Sequence, residues 1–235
     1  MMYLPRLTRV NKAILIGSAG IFILNSIMEL SLGFSLFPYL SLSFTGISKG
    51  LIYQLVTYPF VTKGILAIVF NSLLLWFIGS ELEARWGTGF YLRFLGYSSL
   101  FAGVVYLAIA TFGPNSWGMY PLFGLNGLSF ALLIAYAMLF SERQLLFMMI
   151  FPLKAKYFCA LLILIELYMG VFQPGGKLAW VHLFTLAFAF CYLKFKSGQA
   201  RGVSFKLKLP KKGPKQTHLR IVREDSEKDE PPTYH

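Results

Sequence analysis

Long runs of apolar residues follow one another along the first 196 positions of this chain. A helix rises about 1.5 Å per residue, so about 20 apolar residues cross the roughly 30 Å of hydrocarbon in a bilayer. The pattern predicts an all-α, polytopic membrane domain over residues 13–196. Its six predicted transmembrane spans are residues 13–34, 62–80, 91–112, 121–140, 157–172 and 178–194.

The first apolar run has a cleaved signal peptide as its alternative interpretation. Its apolar part is long, and no small-residue cleavage site is followed by a polar start of a mature protein. We therefore expect a retained helix. Asn25 and Glu29 indicate that the outer end of this helix does not face lipid alone.

The basic residues predict the orientation, because loops on the cytoplasmic side carry an excess of Lys and Arg. If residues 1–12 are cytoplasmic, 19 of the 22 basic residues lie on that side, and only Lys49, Lys63 and Lys177 lie outside. We expect both termini to be cytoplasmic. The compact six-span form favours the inner membrane of a bacterium.

Composition agrees with a membrane protein, because 56% of the residues are hydrophobic and only 14% are charged. A soluble domain carries about 25% charged residues. The two cysteines, Cys159 and Cys191, lie inside apolar runs and offer neither a disulfide framework nor a metal-ligand spacing. We expect no metal and no cofactor.

Two segments are not predicted to cross the membrane. Residues 35–61 are too aromatic and apolar for a solvated loop, and we expect them to lie in the membrane interface after the first helix. Residues 197–235 are basic and then acidic, with almost no aromatic residues, which predicts a disordered cytoplasmic tail. The basic half could touch anionic lipid, whereas nucleic acid is not an expected partner because aromatic residues for stacking are missing.

Polar residues at membrane depth are the best functional indicators in such a chain, because each needs a partner in hydrocarbon. Asn71 is expected to form a hydrogen bond between helices. Asn126 lies between glycines that allow an unwound start of a helix. Glu166 is expected either to point into the bundle or to reach outward, and His182 lies about one turn into the last span.

Several short motifs follow one another in a fixed order between about Tyr53 and Tyr192. They are Tyr53 to Phe60 (Y-Q-L-V-T-Y-P-F), Phe70-Asn71, Gly79 to Gly87 (G-S-E-L-E-A-R-W-G), Phe123 to Gly127 (F-G-L-N-G), Phe151 to Tyr157 (F-P-L-K-A-K-Y), and His182.

This order resembles the rhomboid family of intramembrane serine endopeptidases. The family's counterparts are W-R-L-x-T-Y-x-F, H-x-x-x-N, G-x-x-x-E-x-x-x-G, G-x-S-G, P-x-K-A-K-Y and a histidine in the sixth span. The resemblance implies a six-helix bundle with an interfacial loop after helix 1. It also implies that Glu83, Arg85 and Gly87 belong to a structural turn after the second span.

In a rhomboid, the serine of G-x-S-G attacks a peptide bond and the histidine of the sixth span takes its proton. Here the histidine is His182, but the serine position is Asn126, whose carboxamide has no hydroxyl for a base to activate. The resemblance assigns the neighbouring support positions to Gly124, Leu125 and Gly127.

The family's oxyanion is held by a histidine and an asparagine on the second span. The asparagine is Asn71, but the histidine position is Ala67, which offers no donor. Ser129 lies almost one turn below Asn126 on the same helix face, about 4.5 Å along the axis, and is a poor substitute nucleophile. We expect Asn126 and His182 to form a neutral hydrogen bond between two spans.

These departures favour a rhomboid pseudoprotease, a membrane protein that does not cleave peptide bonds, over an active enzyme of the family. Its expected partners are the lipid bilayer and the transmembrane segments of client proteins, bound at the gate between the second and fifth spans for quality control, trafficking or assembly. The alternative is a rhomboid serine-type endopeptidase that cleaves membrane proteins by an unrecognised arrangement. A small transporter is disfavoured, because no internal repeat is found and Glu166 is the only candidate pore charge.

Overall fold

The computed structural model describes residues 6–113, 120–141, 144–147, 151–172 and 176–199. Residues 1–5 of the predicted amino-terminal segment and residues 200–235 of the predicted tail lie outside this description. The helices are α1 (Arg9–Leu32), α2 (Phe37–Leu40), α3 (Phe44–Ser48), α4 (Gln54–Thr57), α5 (Ile65–Leu74), α6 (Ser80–Trp86), α7 (Thr88–Phe112), α8 (Asn126–Leu139), α9 (Ala155–Phe172) and α10 (Lys177–Gln199).

Four helices of the described part are long and apolar enough to cross a membrane. They are α1, the stretch Ile65–Trp86, α7, and Leu178–Lys196 within α10, and they correspond to the first, second, third and sixth predicted spans. The prediction of a helical membrane protein is therefore confirmed. The fifth predicted span coincides with α9, whereas α8 has only 14 residues, so the count of six spans stays a prediction.

Some helices begin or end at residues other than the predicted ones, because local interactions set their ends. Helix α1 begins at Arg9 rather than 13 and stops at Leu32, because Gly33 takes a left-handed φ of 61°. Helix α10 continues to Gln199, beyond the predicted end at 194 and into the first residues of the predicted tail. The second span includes one π-helical turn, Leu75–Gly79, between α5 and α6.

The largest difference concerns the fourth span, which was predicted to begin at 121. The helix starts only at Asn126, because Gly124 has a φ of 83° and its N–H donates to the Tyr58 carbonyl at 2.9 Å. Leu122 is also paired with Leu42 through two backbone hydrogen bonds of 2.8 and 2.9 Å. The chain is thus extended before α8 and tethered to the loop after α1.

Helix α8 lies at the centre of the bundle. It packs against α7, α9, α10 and the π-helical turn. Its residues Ala131, Leu132 and Ala135 are fully buried in the main apolar core. A short helix suffices here because protein surrounds it on most sides, and the longer α7 and α10 form part of that shell.

Between α8 and α9 the chain forms an antiparallel hairpin that the sequence pattern did not predict. Strand β1 (Gln144–Phe147) pairs with β2 (Phe151–Lys154), with Gln144 opposite Lys154 and Phe147 opposite Phe151. The two strands are short and make up only a small part of the described residues, so the fold remains a helical bundle.

The segment between α1 and α5 is folded around one buried side chain, Gln54. Its Oε1 accepts from the N–H of Ser43 at 3.2 Å, and its Nε2 donates to the carbonyls of Pro38 and Tyr39 at 3.3 and 3.1 Å. A Cβ on Gly46 would collide with this amide. One glutamine thereby satisfies backbone groups of several turns of the predicted interfacial segment.

Tyr58 attaches this segment to α7. Its hydroxyl donates to the Ser99 carbonyl at 2.8 Å, and burial raises the pKa of Tyr58 to about 12. Because Tyr58 also accepts the Gly124 N–H, the same short 3-10 turn, Tyr58–Phe60, fixes both α7 and the start of α8.

A buried polar cluster connects α1, α6 and α7 at the opposite end of the bundle. Asn11 of α1 donates from Nδ2 to Glu83 Oε2 at 3.2 Å and accepts from the Tyr91 hydroxyl at 2.7 Å. Thr88 donates to the other Glu83 oxygen at 3.1 Å. Gly79 lies against this cluster, where a Cβ would come within 2.8 Å of Asn11 and Tyr91 oxygens. The motif that begins at Gly79 therefore joins three helices.

We expect Asn11→Ala to reduce the free energy of unfolding by about 1–3 kcal/mol, because Glu83 and Tyr91 then lose a buried partner. Asn126→Ala is the matched control, since Asn126 is exposed, and its change should stay within about 0.5 kcal/mol. Unfolding by sodium dodecyl sulfate in mixed micelles, followed by circular dichroism, measures both. Equal losses in the two variants would contradict the assignment of Asn11 as the link between α1 and α6.

Candidate functional site

Asn126 is the first residue of α8 and its side chain is exposed. Leu125 and Gly124 precede it in a non-helical conformation, as the flanking glycines suggested. Within the described residues no hydrogen bond links Asn126 to His182, so the predicted bond between them is wrong. His182 is buried and has its hydrogen-bonding partner on a third helix, whereas Asn126 is exposed.

That partner is Glu166 of α9. The Nδ1 atom of His182 lies 3.3 Å from Glu166 Oε1, and both side chains are largely buried. Of the two orientations expected for Glu166, the inward one is therefore present. An acid and a base at this distance share one proton, either as a neutral hydrogen bond or as an ion pair.

His182 also contacts α8. The Phe130 ring is stacked on the imidazole, with 5.7 Å between centroids and 19° between planes. A Cβ built on Gly127 would lie 3.7 Å from Cδ2 of His182, which is the ring atom next to Nε2. Nδ1 thus points to α9, and the side of the ring that carries Nε2 lies against α8 near Asn126.

Asn71 of α5 binds a different residue of α8. The Ser129 hydroxyl donates to Asn71 Oδ1 at 3.3 Å, and both side chains are buried. The predicted interhelical hydrogen bond of Asn71 is therefore confirmed. Ala67 lies one turn earlier on α5, half-buried, and its methyl group donates nothing.

Aromatic side chains connect the segment before Asn126 to the loop after α1. Phe123 and Phe37 meet edge to face, with 5.0 Å between ring centroids. Lys63 places Nζ 3.7 Å from the Phe37 centroid, a cation–π contact. This aromatic group was not predicted, because its members are about 25 to 85 positions apart in sequence and only Phe123 belongs to one of the motifs.

The turn motif after the second span lies apart from these residues. Glu83 is buried among Asn11 and Thr88, Gly87 has a φ of 80°, and Arg85 is exposed with its guanidinium 4.9 Å from the Phe140 ring centroid. Glu83 and Gly87 thus serve the packing of α1, α6 and α7 rather than the surroundings of His182.

In the part of the chain that the structure describes, no serine or cysteine side chain is hydrogen-bonded to His182, whose partner is Glu166. His182 lies against Gly127, the residue after Asn126, near the start of α8, while Asn71 and Ser129 form a separate pair on α5 and α8. Within the described residues, no cluster of three or more His, Cys, Asp and Glu side chains could hold a metal ion. Sequence reasoning found every polar residue of the site but not the pairing of Glu166 with His182.

Comparison with known protein families gives one match. The Rhomboid domain matches residues 49–198, which is well over half of the chain and includes Asn71, Asn126, Glu166 and His182. A comparison with curated proteins finds no significant match. The family match and the apolar helices agree, and this chain belongs to the rhomboid family of integral membrane proteins.

Proposed function

We propose that this rhomboid-family protein binds transmembrane helices of other membrane proteins and does not cleave peptide bonds. The residue that carries this proposal is Asn126, which stands where the family has its nucleophilic serine. A carboxamide cannot be deprotonated by a histidine to attack a carbonyl carbon. Formation of an acyl-enzyme at this position is therefore excluded by chemistry.

The oxyanion positions support the same conclusion. Ala67 replaces the family's histidine and has no donor. The amide oxygen of Asn71 accepts the Ser129 hydroxyl at 3.3 Å, so this side chain serves packing between α5 and α8. Removing one oxyanion donor from an enzyme typically lowers its rate by about 10²–10³.

Ser129 does not replace the missing serine. It lies three residues after Asn126, about 4.5 Å further along the helix axis. Its hydroxyl is bound to Asn71, whereas His182 is bound to Glu166. A nucleophile and its base must lie within hydrogen-bonding distance, and these two belong to separate pairs.

Exposed apolar side chains on α5 and α9 support a role in binding a client helix. Helices α5 and α9 both pack on α8 and expose large apolar side chains, among them Leu66 and Phe70 on α5 and Leu164 and Tyr168 on α9. A helix in the bilayer associates by lateral packing and by hydrogen bonds rather than by the hydrophobic effect. We place the client at the gate between α5 and α9.

We propose further that both termini are cytoplasmic. The ends of the bundle are distinct: the start of α1 meets α6 and α7 at the Asn11 cluster, whereas Leu42 and Leu122 meet at the other end. Among the basic residues of the described ranges, most, including Arg85, Arg93 and Lys156, belong to the first end by their place in the helices, which is the pattern of a cytoplasmic side.

This orientation predicts that green fluorescent protein fused after His235 fluoresces in a bacterial host, because it folds in the cytoplasm and not after export. Alkaline phosphatase fused at the same position should be inactive, because it requires export. If the phosphatase fusion is active and the fluorescent-protein fusion does not fluoresce, the carboxyl terminus lies outside the cytoplasm and the assignment is wrong.

The loss of catalysis is tested with purified full-length protein and a generic transmembrane rhomboid substrate in liposomes. We expect no cleavage by the native protein, and cleavage by Asn126→Ser, because this change places a hydroxyl beside His182. Adding Ala67→His should raise the rate further, by up to the 10²–10³ that one oxyanion donor contributes.

Asn126→Ala is the matched control, since it changes the same position without adding a nucleophile, and it should remain inactive. Cleavage by the native protein that disappears in His182→Ala would refute the proposal. That result would require another nucleophile, and Ser129→Ala would be the next variant to test.

Client binding is tested by photo-crosslinking in nanodiscs. A benzophenone amino acid at Phe70 of α5 or Leu164 of α9 should capture a co-reconstituted transmembrane peptide. The same group at Val104 of α7 is the matched control, because it is equally exposed but lies away from the gate, and it should capture little. Equal capture at all three positions would mean non-specific contact and would contradict a gate-directed binding site.

A further inference from the structure

Helices α7 and α10 run antiparallel and are joined by a seam of four aromatic side chains. The rings of Phe101 and Phe188 are stacked, with 4.2 Å between centroids and 12° between planes. One turn nearer the start of α7, Tyr97 meets Tyr192, with 6.0 Å between ring centroids. Tyr97 is exposed and the other three are half-buried. The aromatic seam therefore lies at the surface of two helices that are apolar enough to span the membrane.

The next turn of each helix beyond the two tyrosines carries a basic residue. Arg93 precedes Tyr97 by four positions, and Lys196 follows Tyr192 by four positions. Residues four apart share a helix face, so each basic residue lies on the face of its tyrosine. Because the helices are antiparallel, both basic residues lie on the same side of the tyrosine pair. That side is the end of the bundle where α1 begins, since Tyr91 of α7 binds Asn11 there.

These two cations have no carboxylate partner in the part of the chain that the structure describes. Both side chains are exposed. Arg93 donates from Nε to the Gly89 carbonyl of its own helix at 3.1 Å, which directs the guanidinium toward the start of α7. Two positive charges beside one seam repel each other unless an anion neutralises them. The surface is therefore complementary to a negatively charged group.

The depth of the two residues identifies the kind of anion. Lys196 is the last residue of the apolar stretch Leu178–Lys196, and Arg93 lies in the second turn of α7. Both groups thus lie where the hydrocarbon ends and the headgroups begin, which is also the depth that tyrosine rings favour. The anions at this depth are the phosphate groups of phospholipids.

Gly96 leaves space for an acyl chain beside the seam. It lies three positions after Arg93 and shares its helix face. Apart from its chain neighbours and the local helix backbone, no atom lies within 4 Å of the place that a Cβ on Gly96 would take. Leu92 and Leu100, one turn away on either side, are 49% and 46% exposed. The surface of α7 therefore has a notch one side chain deep, on the hydrocarbon side of the Arg93 guanidinium.

We propose that this surface binds one anionic phospholipid. Its phosphate lies between Arg93 and Lys196, and one acyl chain lies over Gly96 beside the aromatic seam. A guanidinium suits this role, because it presents paired donors to phosphate oxygens. The site depends neither on client binding nor on the loss of catalysis. Its assignment to the cytoplasmic leaflet follows from the proposed orientation of the termini.

Native mass spectrometry of the purified full chain in detergent tests the site. The protein is mixed with equal amounts of dioleoylphosphatidylglycerol, which is anionic, and dioleoylphosphatidylcholine, which has the same acyl chains and no net charge. We expect the native chain to retain the anionic lipid preferentially. Arg93→Gln combined with Lys196→Gln should lower the ratio of retained anionic to zwitterionic lipid by about fivefold or more, the effect of one basic residue at an anionic lipid surface.

Arg9→Gln combined with Lys12→Gln is the matched control, because both residues are exposed on α1 and the change removes the same charge. The ratio for this control should stay close to that of the native chain. Equal losses in the two double variants would overturn the site, since the lipid would then respond to net charge alone. A native chain that retains both lipids equally would overturn it as well.

Gly96→Leu separates a lipid site from a site for any anion. Leucine fills the notch, leaves both cations in place and favours a helix more than glycine does, so this variant should fold. It should retain several-fold less phosphatidylglycerol than the native chain. Unchanged retention would overturn the proposal, because the two cations would then hold an anion without a seated acyl chain.

The acidic part of the predicted tail is the competing occupant. If the native chain retains little lipid, and retention rises when the acidic residues of the tail are replaced by their amides, the tail occupies the two cations and the proposal is wrong. The residues to replace are Glu224, Asp225, Glu227, Asp229 and Glu230. Retention that is the same with and without these charges is the result expected for a lipid site.

Discussion

The hydrocarbon of a bilayer supplies no hydrogen bonds, and this constraint organises the whole molecule. A polar side chain among the apolar helices is costly unless it finds a partner inside the protein. Asn71 binds Ser129, Asn11 joins Glu83 and Tyr91, and His182 binds Glu166. Each of these contacts joins two or three helices. The fold is therefore fixed at a few polar points, while apolar packing fills the space between them.

The residues around His182 follow the same rule. A buried histidine without a partner would be an unpaired polar group among apolar helices. In this chain Glu166 pairs with it, and the Phe130 ring covers one face. Asn126 needs no such partner, because it is exposed at the start of α8. His182 thus serves as a contact between α9 and α10, whereas Asn126 stays at the surface.

The loop after α1 contributes in a different way. Gln54 satisfies three backbone groups of this segment, and Tyr58 connects it to both α7 and the chain before Asn126. Phe37, Phe123 and Lys63 add an aromatic contact at the same place. The start of α8 is therefore held in place by contacts with the loop after α1, and His182 of α10 packs against it as well.

The sequence by itself determined the apolar helices, the polar positions within them, and the family, because helix length and motif order are local properties of the chain. It also determined that Asn126 has no nucleophilic atom, which is a matter of chemistry alone. Only the tertiary structure decided the pairings. Nothing in the sequence distinguishes Glu166 from Asn126 as the partner of His182, since that choice depends on how three helices pack. The late start of α8 was likewise decided by Leu42 and Tyr58, which lie more than 60 residues earlier.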